Sequence, residues 1–175
     1  VSRGVRKEVR QNQIGSALVH TLDADRSVSA RAYYGTRDNV QYQAGIPPAT
    51  PTGAWVGLNR AYYGAGLQYN AKTRLSATPL TWVAGYEFDR SRETRKGGAA
   101  AVGVKTSTTR NEDNQAENSD FFAQATAKVS DHVSVVGGLR YSTVRFSSDD
   151  HFLSDGNGSG ATSFDAASPV LGLTY

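Results

Sequence analysis

SDFFAQATAKVSDHVSVVGGLRYSTVRFSSDD, residues 119–150, is the stretch that decides the fold. Apolar residues alternate with mostly polar ones over residues 121–129, and the alternation resumes over residues 133–141. A period of two is that of a β-strand with one apolar face. Residues 130–132, Ser-Asp-His, lie between the two runs and reverse the chain. The segment therefore predicts a β-hairpin with a short turn, and its outer ends continue into polar sequence.

The rest of the chain repeats this plan. Alternating runs begin near residues 14, 28, 60 and 80, and another ends the chain at Tyr175, which makes seven predicted strands in all. Short turns are expected near residues 23, 77 and 131, and long loops at the prolines Pro47, Pro48 and Pro51, at residues 94–118 and at residues 151–167. Tight turns at one end and long loops at the other are typical of outer-membrane barrels. The predicted fold class is an all-β, antiparallel up-and-down transmembrane β-barrel, present here as a partial barrel of about seven strands.

The two strand faces differ in character. Six aromatic residues lie on the apolar face at a similar distance from the short turns: Tyr34, Tyr63, Tyr86, Phe88, Phe121 and Tyr141. Such a belt is expected where barrel strands meet the membrane interface. Eight charged residues are predicted on the opposite face: Arg31, Arg37, Arg60, Lys72, Glu87, Asp89, Lys128 and Arg140. Charges of both signs suit a water-filled lumen and not a dry core.

Composition excludes several functional classes. The 175 residues include 18 glycines, and the sequence has no cysteine, which excludes disulfides and thiolate chemistry. The net charge is +3, and the basic residues are dispersed along the chain, whereas a nucleic-acid-binding protein would concentrate them in one patch. No apolar run approaches the roughly 18 residues of a membrane helix. The loop that starts at Asp155 matches half of a calcium-binding loop, but Ala166 stands where its last carboxylate belongs. We find no catalytic constellation and no metal-ligand set, so we do not expect an enzyme.

The chain resembles part of the barrel of a TonB-dependent outer-membrane receptor of the siderophore type. The resemblance is carried by ENSDFFAQATAKVSDHVSVVGGLRYSTVRF at residues 117–146, by TPLTWVAGYEFDRSRE at residues 78–93 and by SPVLGLTY at residues 168–175. It covers nearly the whole chain, and the Gly-Leu-Arg-Tyr hairpin is its most specific part. A barrel of this kind has about 22 strands. Residues 1–175 would then be about a third of the barrel domain, and we recognise neither a plug domain nor a TonB box among them.

The resemblance implies uptake of a ferric siderophore as transported ligand, with no cofactor. The implied location is the outer membrane of a Gram-negative bacterium, and the implied partners are the siderophore, outer-membrane lipid and, through N-terminal parts of the full receptor, TonB. From position on the predicted upper wall we also expect Arg37, Tyr42, Trp55 and Arg60 to contact an anionic, partly aromatic chelate, since arginine pairs bidentately with its oxygens. A lumen salt-bridge network or loop packing explains the same four residues.

Two other interpretations remain open from the sequence. A complete small outer-membrane barrel of eight strands, with a structural or adhesive role, fits the chain length but not the count of seven strands, since bacterial single-chain barrels have even numbers. A soluble lipocalin-like binding barrel would enclose an apolar pocket, and the charged inward faces oppose it.

Overall fold

The computed structural model describes residues 4–45 and 52–175 and contains one antiparallel sheet. Its strands are β1 (Arg6–Thr21), β2 (Arg26–Gln43), β3 (Thr52–Leu75), β4 (Thr78–Ala101), β5 (Val104–Lys105), β6 (Arg110–Lys128), β7 (Ser134–Asp150) and β8 (Gly160–Thr174). The hydrogen-bonded order is β1-β2-β3-β4-β6-β7-β8, and the two-residue β5 pairs with β4 alone. The predicted all-β, up-and-down architecture with seven long strands is confirmed. The short β5 was not predicted.

The register extends the alternation of the single strands into two continuous faces. One row across the sheet consists of Leu18, Ala30, Leu67, Tyr86, Phe121, Tyr141 and Ala167. The adjacent row consists of Ala17, Arg31, Gly66, Glu87, Asp120, Ser142 and Ala166. We call the side of the first row the apolar face and the side of the second the polar face. All eight charges predicted to share one face lie on the polar face.

The apolar face carries the predicted aromatic belt. Large side chains there are exposed, among them Tyr34 (50%), Phe121 (61%) and Tyr141 (47%). The ring centroids of Tyr86 and Phe121 are 4.6 Å apart, so aromatic contacts link neighbouring strands along the belt. A second aromatic pair, Tyr69 and Trp82 at 5.3 Å, lies nearer the short turns. The apolar face is therefore bounded by aromatic residues towards both ends of the strands.

The strands are longer than the sequence predicted. Residues 94–118 were expected to form one long loop, but β4 runs to Ala101 and β6 begins at Arg110. Likewise β1 begins at Arg6 rather than near residue 14, and β8 begins at Gly160 within the predicted loop at residues 151–167. These predictions were wrong because the added strand segments consist mostly of polar and small residues on both faces, which removes the contrast on which period-two patterns depend. The proline loop at Pro47, Pro48 and Pro51 lies outside the described residues.

The short turns stand where they were predicted. Residues 22–25, 76–77 and 129–133 connect the strands at one end of the sheet. We call the part of each strand between these turns and the aromatic belt the short-turn half, and the remainder the long-loop half. A strand needs about 9 to 11 residues to cross a bilayer, whereas β3 and β4 each have 24. The long-loop half thus extends well beyond the apolar rows.

Among residues 4–45 and 52–175 no backbone pairing joins β1 to β8, which are the two edge strands of the sheet. No helix in this part of the chain is long and apolar enough to span a membrane.

Candidate functional site: the polar face and its groove

The polar face of the short-turn half holds a network of ion pairs that crosses strand boundaries. Arg31 on β2 donates to Glu87 on β4 at 2.7 Å. Glu87 also accepts from Arg140 on β7 at 3.2 Å, and Arg140 pairs in turn with Asp120 on β6. Asp120 is 2% exposed and accepts a further hydrogen bond from Asn118 at 2.7 Å. The network connects four strands, so it stiffens the wall as well as satisfying buried charge.

Two glycines of β3 make these long contacts possible. Gly66 lies between Arg31 and Glu87, and a Cβ at this position would come within 3.2 Å of Arg31 Nε. Gly64 lies between Tyr33 and Asp89, where a Cβ would meet the Tyr33 ring at 2.7 Å. The Tyr33 hydroxyl donates to the Asp89 carboxylate across this gap. Because β3 presents no side chain at these positions, residues two strands apart bond directly over it.

The long-loop half of the polar face forms a groove of about 590 Å³. Its side-chain lining includes Arg60, Glu93, Arg95, Asn114 and Phe146, and residues 158–162 at the start of β8 close one side. Arg60 donates through Nε to Glu93 at 2.8 Å. The Arg95 side chain makes no hydrogen bond or ion pair with any described residue, and its Nε is buried without a partner. The groove therefore offers a cationic group with unused donors.

Two of the four predicted ligand residues lie on this face. Arg37 on β2 is the register partner of Arg60 on β3, so both side chains lie on the polar face near the groove. Arg37 is exposed and makes no ion pair within residues 4–45 and 52–175, whereas Arg60 is held by Glu93. Two adjacent guanidinium groups, one of them unpaired, can bind carboxylate or similar oxygens.

The other two predicted residues lie elsewhere. Tyr42 and Trp55 are also register partners, but the strand alternation places them on the side of the apolar face. They are 8% and 5% exposed and form a buried cluster with Ala100. The structure thus divides the four residues into two pairs on opposite faces. A ligand role for each of the four stays a prediction.

Tyr42 and Trp55 are covered by the tip of the β4–β5 hairpin and the segment after it. Lys105 Nζ lies 4.0 Å from the centre of the Trp55 ring, and Trp55 Nε1 donates to the Ser107 carbonyl at 2.9 Å. The Arg6 guanidinium lies 4.0 Å above the Tyr42 ring and donates to the Gly103 carbonyl at 3.0 Å. These contacts fasten the hairpin to β1 and β3 and cover the two rings.

Sequence analysis missed Arg95 as a candidate. It had been placed in the predicted loop at residues 94–118, but it lies in β4 on the same face as Glu93. The sequence RSRETRK at residues 90–96 is polar at every position, so the alternation there carries no hydrophobic signal. Its spacing of two from Glu93 places both side chains on one face of a strand, and this identifies Arg95 as a candidate once β4 is known to continue.

Comparisons with known proteins agree with this architecture. The family described as TonB dependent receptor-like, beta-barrel matches residues 2–175. Among solved structures, the unliganded ferric citrate transporter FecA superposes with a TM-score of 0.85 at 11% identity, covering 97% of this chain and 25% of that one. The ferric preacinetobactin receptor BauA from Acinetobacter baumannii has a TM-score of 0.74 at 15% identity and covers 95% and 28% of the two chains.

A third similar structure is that of a transporter with a different cargo. The copper transporter OprC matches with a TM-score of 0.66 at 16% identity, covering 95% of this chain and 28% of that one. At such identities these likenesses show the fold and not the ligand. The chain spans about a quarter of the length of these proteins. The family match over nearly every residue, together with the polar and apolar faces of the sheet, establishes that this chain belongs to the TonB-dependent receptor-like β-barrel family.

Proposed function

We propose that this chain forms part of the wall of a Gram-negative outer-membrane receptor that takes up ferric siderophores with energy supplied through TonB. It contributes binding and passage and no catalysis or cofactor. Residues 1–175 are then one portion of the barrel domain, and the plug and the segment that meets TonB are supplied by other parts of the complete receptor. The ferric siderophore is the transported ligand.

The observation that carries this proposal is the set of guanidinium groups on the polar face at and beside the groove. Arg37 and Arg95 have no ionic partner within the described residues, and Arg60 is paired with the carboxylate of Glu93. Ferric siderophores present anionic oxygens, for which the planar guanidinium group is a bidentate donor. This favours a negatively charged iron chelate over a bare metal ion as the cargo.

The test uses the complete receptor and three iron-55 chelates: a ferric hydroxycarboxylate, a ferric catecholate and a ferric hydroxamate. Replacing both Arg37 and Arg60 by Gln should weaken binding of one chelate about tenfold or more, since each hydrogen bond between charged groups contributes roughly 1.5 to 3 kcal/mol when fully formed. Lys72→Gln with Arg74→Gln removes the same charge near the short turns and should leave binding unchanged. If the Arg37 and Arg60 variant binds each of the three chelates as tightly as the wild-type receptor does, the proposal is contradicted.

Tyr42 and Trp55 enter this proposal as contacts made after the hairpin opens. Trp55→Ala should then reduce chelate affinity less than the arginine pair does, because the ring is covered in the closed structure. If Trp55→Ala loosens the hairpin, seen as faster hydrogen exchange at residues 104–107, and leaves affinity intact, the ring pair has only a packing role.

A further inference from the structure

The polar face changes character across the width of the sheet. On β3 and β4 it holds charges such as Arg60 and Glu87, whereas on β7 and β8 it holds the rings of Phe146 and Phe164. Phe146 is 46% exposed and Phe164 is 59% exposed. Within the described residues neither ring belongs to an aromatic pair. Two phenylalanine rings thus lie open on a face that is otherwise mostly polar.

Of these two rings, Phe146 is the one that lines the groove. It shares the groove of about 590 Å³ with Arg60 and Arg95. It also lines a neighbouring cavity of about 400 Å³ together with residues 161–163. Phe164 lies beside Val144 on the same face, but it lines neither of these cavities. A groove of this volume accommodates a small organic ligand, and Phe146 supplies its aromatic surface.

The wall between Phe146 and Arg95 is low. The register row of Phe146 continues through Ala116 on β6 to Ser91 on β4, and both of these residues line the groove. Neighbouring strands lie about 4.8 Å apart, so these two small side chains leave about 10 Å of wall open between β7 and β4. Arg95 stands at the long-loop end of this space, on the same face of β4 as Ser91. A planar group can therefore lie between the ring and the guanidinium group.

The charges of the groove select for individual contacts rather than for a high total charge. Its lining holds two guanidinium groups and two carboxylates. The carboxylates on this part of the polar face have partners: Glu93 with Arg60, Glu112 with Arg110, and Asp150 with two backbone amides. The Arg95 side chain has none among the described residues, although Glu112 is its register partner. The unused donors of the lining are therefore those of Arg95.

A strand that joins β8 in the complete receptor does not cover Phe146. Such a strand pairs with the edge of β8 in the plane of the sheet, about 4.8 Å away. The Phe146 side chain lies on β7 and projects from the polar face, out of that plane. Its ring is therefore available to a ligand that enters the groove.

An aryl ring whose oxygens bind iron matches both features, because its carbon framework packs on Phe146 and its anionic oxygens accept from Arg95. We infer that Phe146 and Arg95 select the class of chelate at this wall, a ferric chelate with aryl oxygens. An aliphatic chelate offers no ring for Phe146. This inference rests on the proposed function and deepens it, since it names the class of ferric siderophore.

The experiment measures the dissociation constants of the purified complete receptor for two iron-55 chelates, a ferric catecholate and a ferric hydroxamate with an aliphatic ligand. Phe146→Leu removes the ring and keeps an apolar side chain, and Phe164→Leu makes the same change outside the groove. Arg95→Gln removes the unpaired guanidinium group. Its matched control is Lys96→Gln, because Lys96 is exposed and, as the next residue of β4, lies on the opposite face.

The wild-type receptor should bind the catecholate more tightly than the hydroxamate. An aromatic contact contributes about 2- to 12-fold in affinity beyond the burial of apolar area, so Phe146→Leu should weaken catecholate binding by about that factor and leave hydroxamate binding unchanged. Phe146→Tyr keeps a ring and should retain the wild-type preference. Arg95→Gln should weaken catecholate binding about tenfold or more. Both control variants should bind like the wild type.

The ratio of the two dissociation constants decides the outcome. An unchanged ratio in Phe146→Leu would overturn the inference, whether neither affinity falls, as when another part of the receptor covers the ring, or both fall equally, as when the ring only packs. If a ferric chelate still binds and depends on Arg37 and Arg60, the proposed function stands without this inference. If the wild-type receptor binds no ferric chelate, the proposed function itself fails.

Discussion

The two halves of the same strands follow different rules. In the short-turn half the apolar face is exposed and aromatic at its margin, while the polar face buries ion pairs such as Asp120 with Arg140. In the long-loop half the two faces show no such contrast, and the buried residues include Tyr42 and Trp55 beneath a folded hairpin. One half is organised by the difference between its apolar and polar faces, and the other by local contacts. A substitution of the same kind should therefore cost very different amounts in the two halves.

The largest expected difference comes from a new charge on the apolar face of β7. Leu139→Arg in the short-turn half should destabilise the complete barrel by about 1 to 3 kcal/mol, the cost of arginine between the bilayer midplane and the interface. Ser147→Arg on the same face of the same strand should cost roughly 0 to 1 kcal/mol. Denaturant unfolding of the receptor in lipid vesicles measures both. Equal losses would mean that the apolar face does not meet lipid.

A second comparison concerns two carboxylates of β6. Asp120→Asn removes a 2% exposed charge that pairs with Arg140 and accepts from Asn118, and should cost about 1.5 to 3 kcal/mol. Asp113→Asn in the long-loop half alters a side chain that is 56% exposed, and should cost less than about 1 kcal/mol. The same unfolding assay ranks them. A larger effect at Asp113 would show that the ion-pair network does not stiffen the short-turn half.

The hairpin of the long-loop half contains a residue with backbone strain, which a substitution can relieve. Val102 and Gly103 form its two-residue turn with φ values of 49° and 78°. A β-branched residue is disfavoured there, whereas asparagine tolerates it. Val102→Asn should stabilise the hairpin by about 1 kcal/mol, seen as roughly fivefold slower hydrogen exchange of the Thr106 amide, which bonds to the Ala99 carbonyl. Val104→Asn, two residues away in β5, should not slow that exchange.

The smallest expected effect is a pH response confined to the long-loop half. Hydrogen bonds from Thr94 at 2.7 Å and with His151 at 2.9 Å lower the pKa of Asp113. A carboxyl group with a lowered pKa stabilises the folded state above its unfolded pKa of about 3.9. That stabilisation is lost as the pH falls through the lower folded value. Hydrogen exchange of the His151 backbone amide should accelerate below about pH 4 in the wild-type protein. The Asp113→Asn variant should show no such acceleration.

Prediction from the sequence succeeded where the two faces of a strand meet different surroundings. Residues 121–129 and 133–141 are predictable because one face of these strands is apolar and the other mostly polar, so that alternate positions differ. Arg95 and the first residues of β8 were not predicted in strands because polar and small residues occupy both faces there, so that alternate positions do not differ. The pairing of Arg37 with Arg60 requires the register of β2 against β3, which a single strand does not encode.

The sequence by itself determined the fold class, the positions of the short turns, the aromatic belt and the charged face, since each depends on the period of two along one strand. Only the tertiary structure decided which charges meet, because Arg31 reaches Glu87 across Gly66 on an intervening strand. It also decided that Tyr42 and Trp55 are covered while Arg60, the register partner of Arg37, lines a groove. Contacts between strands depend on register and on the space left by neighbouring side chains, and both are properties of the assembled sheet.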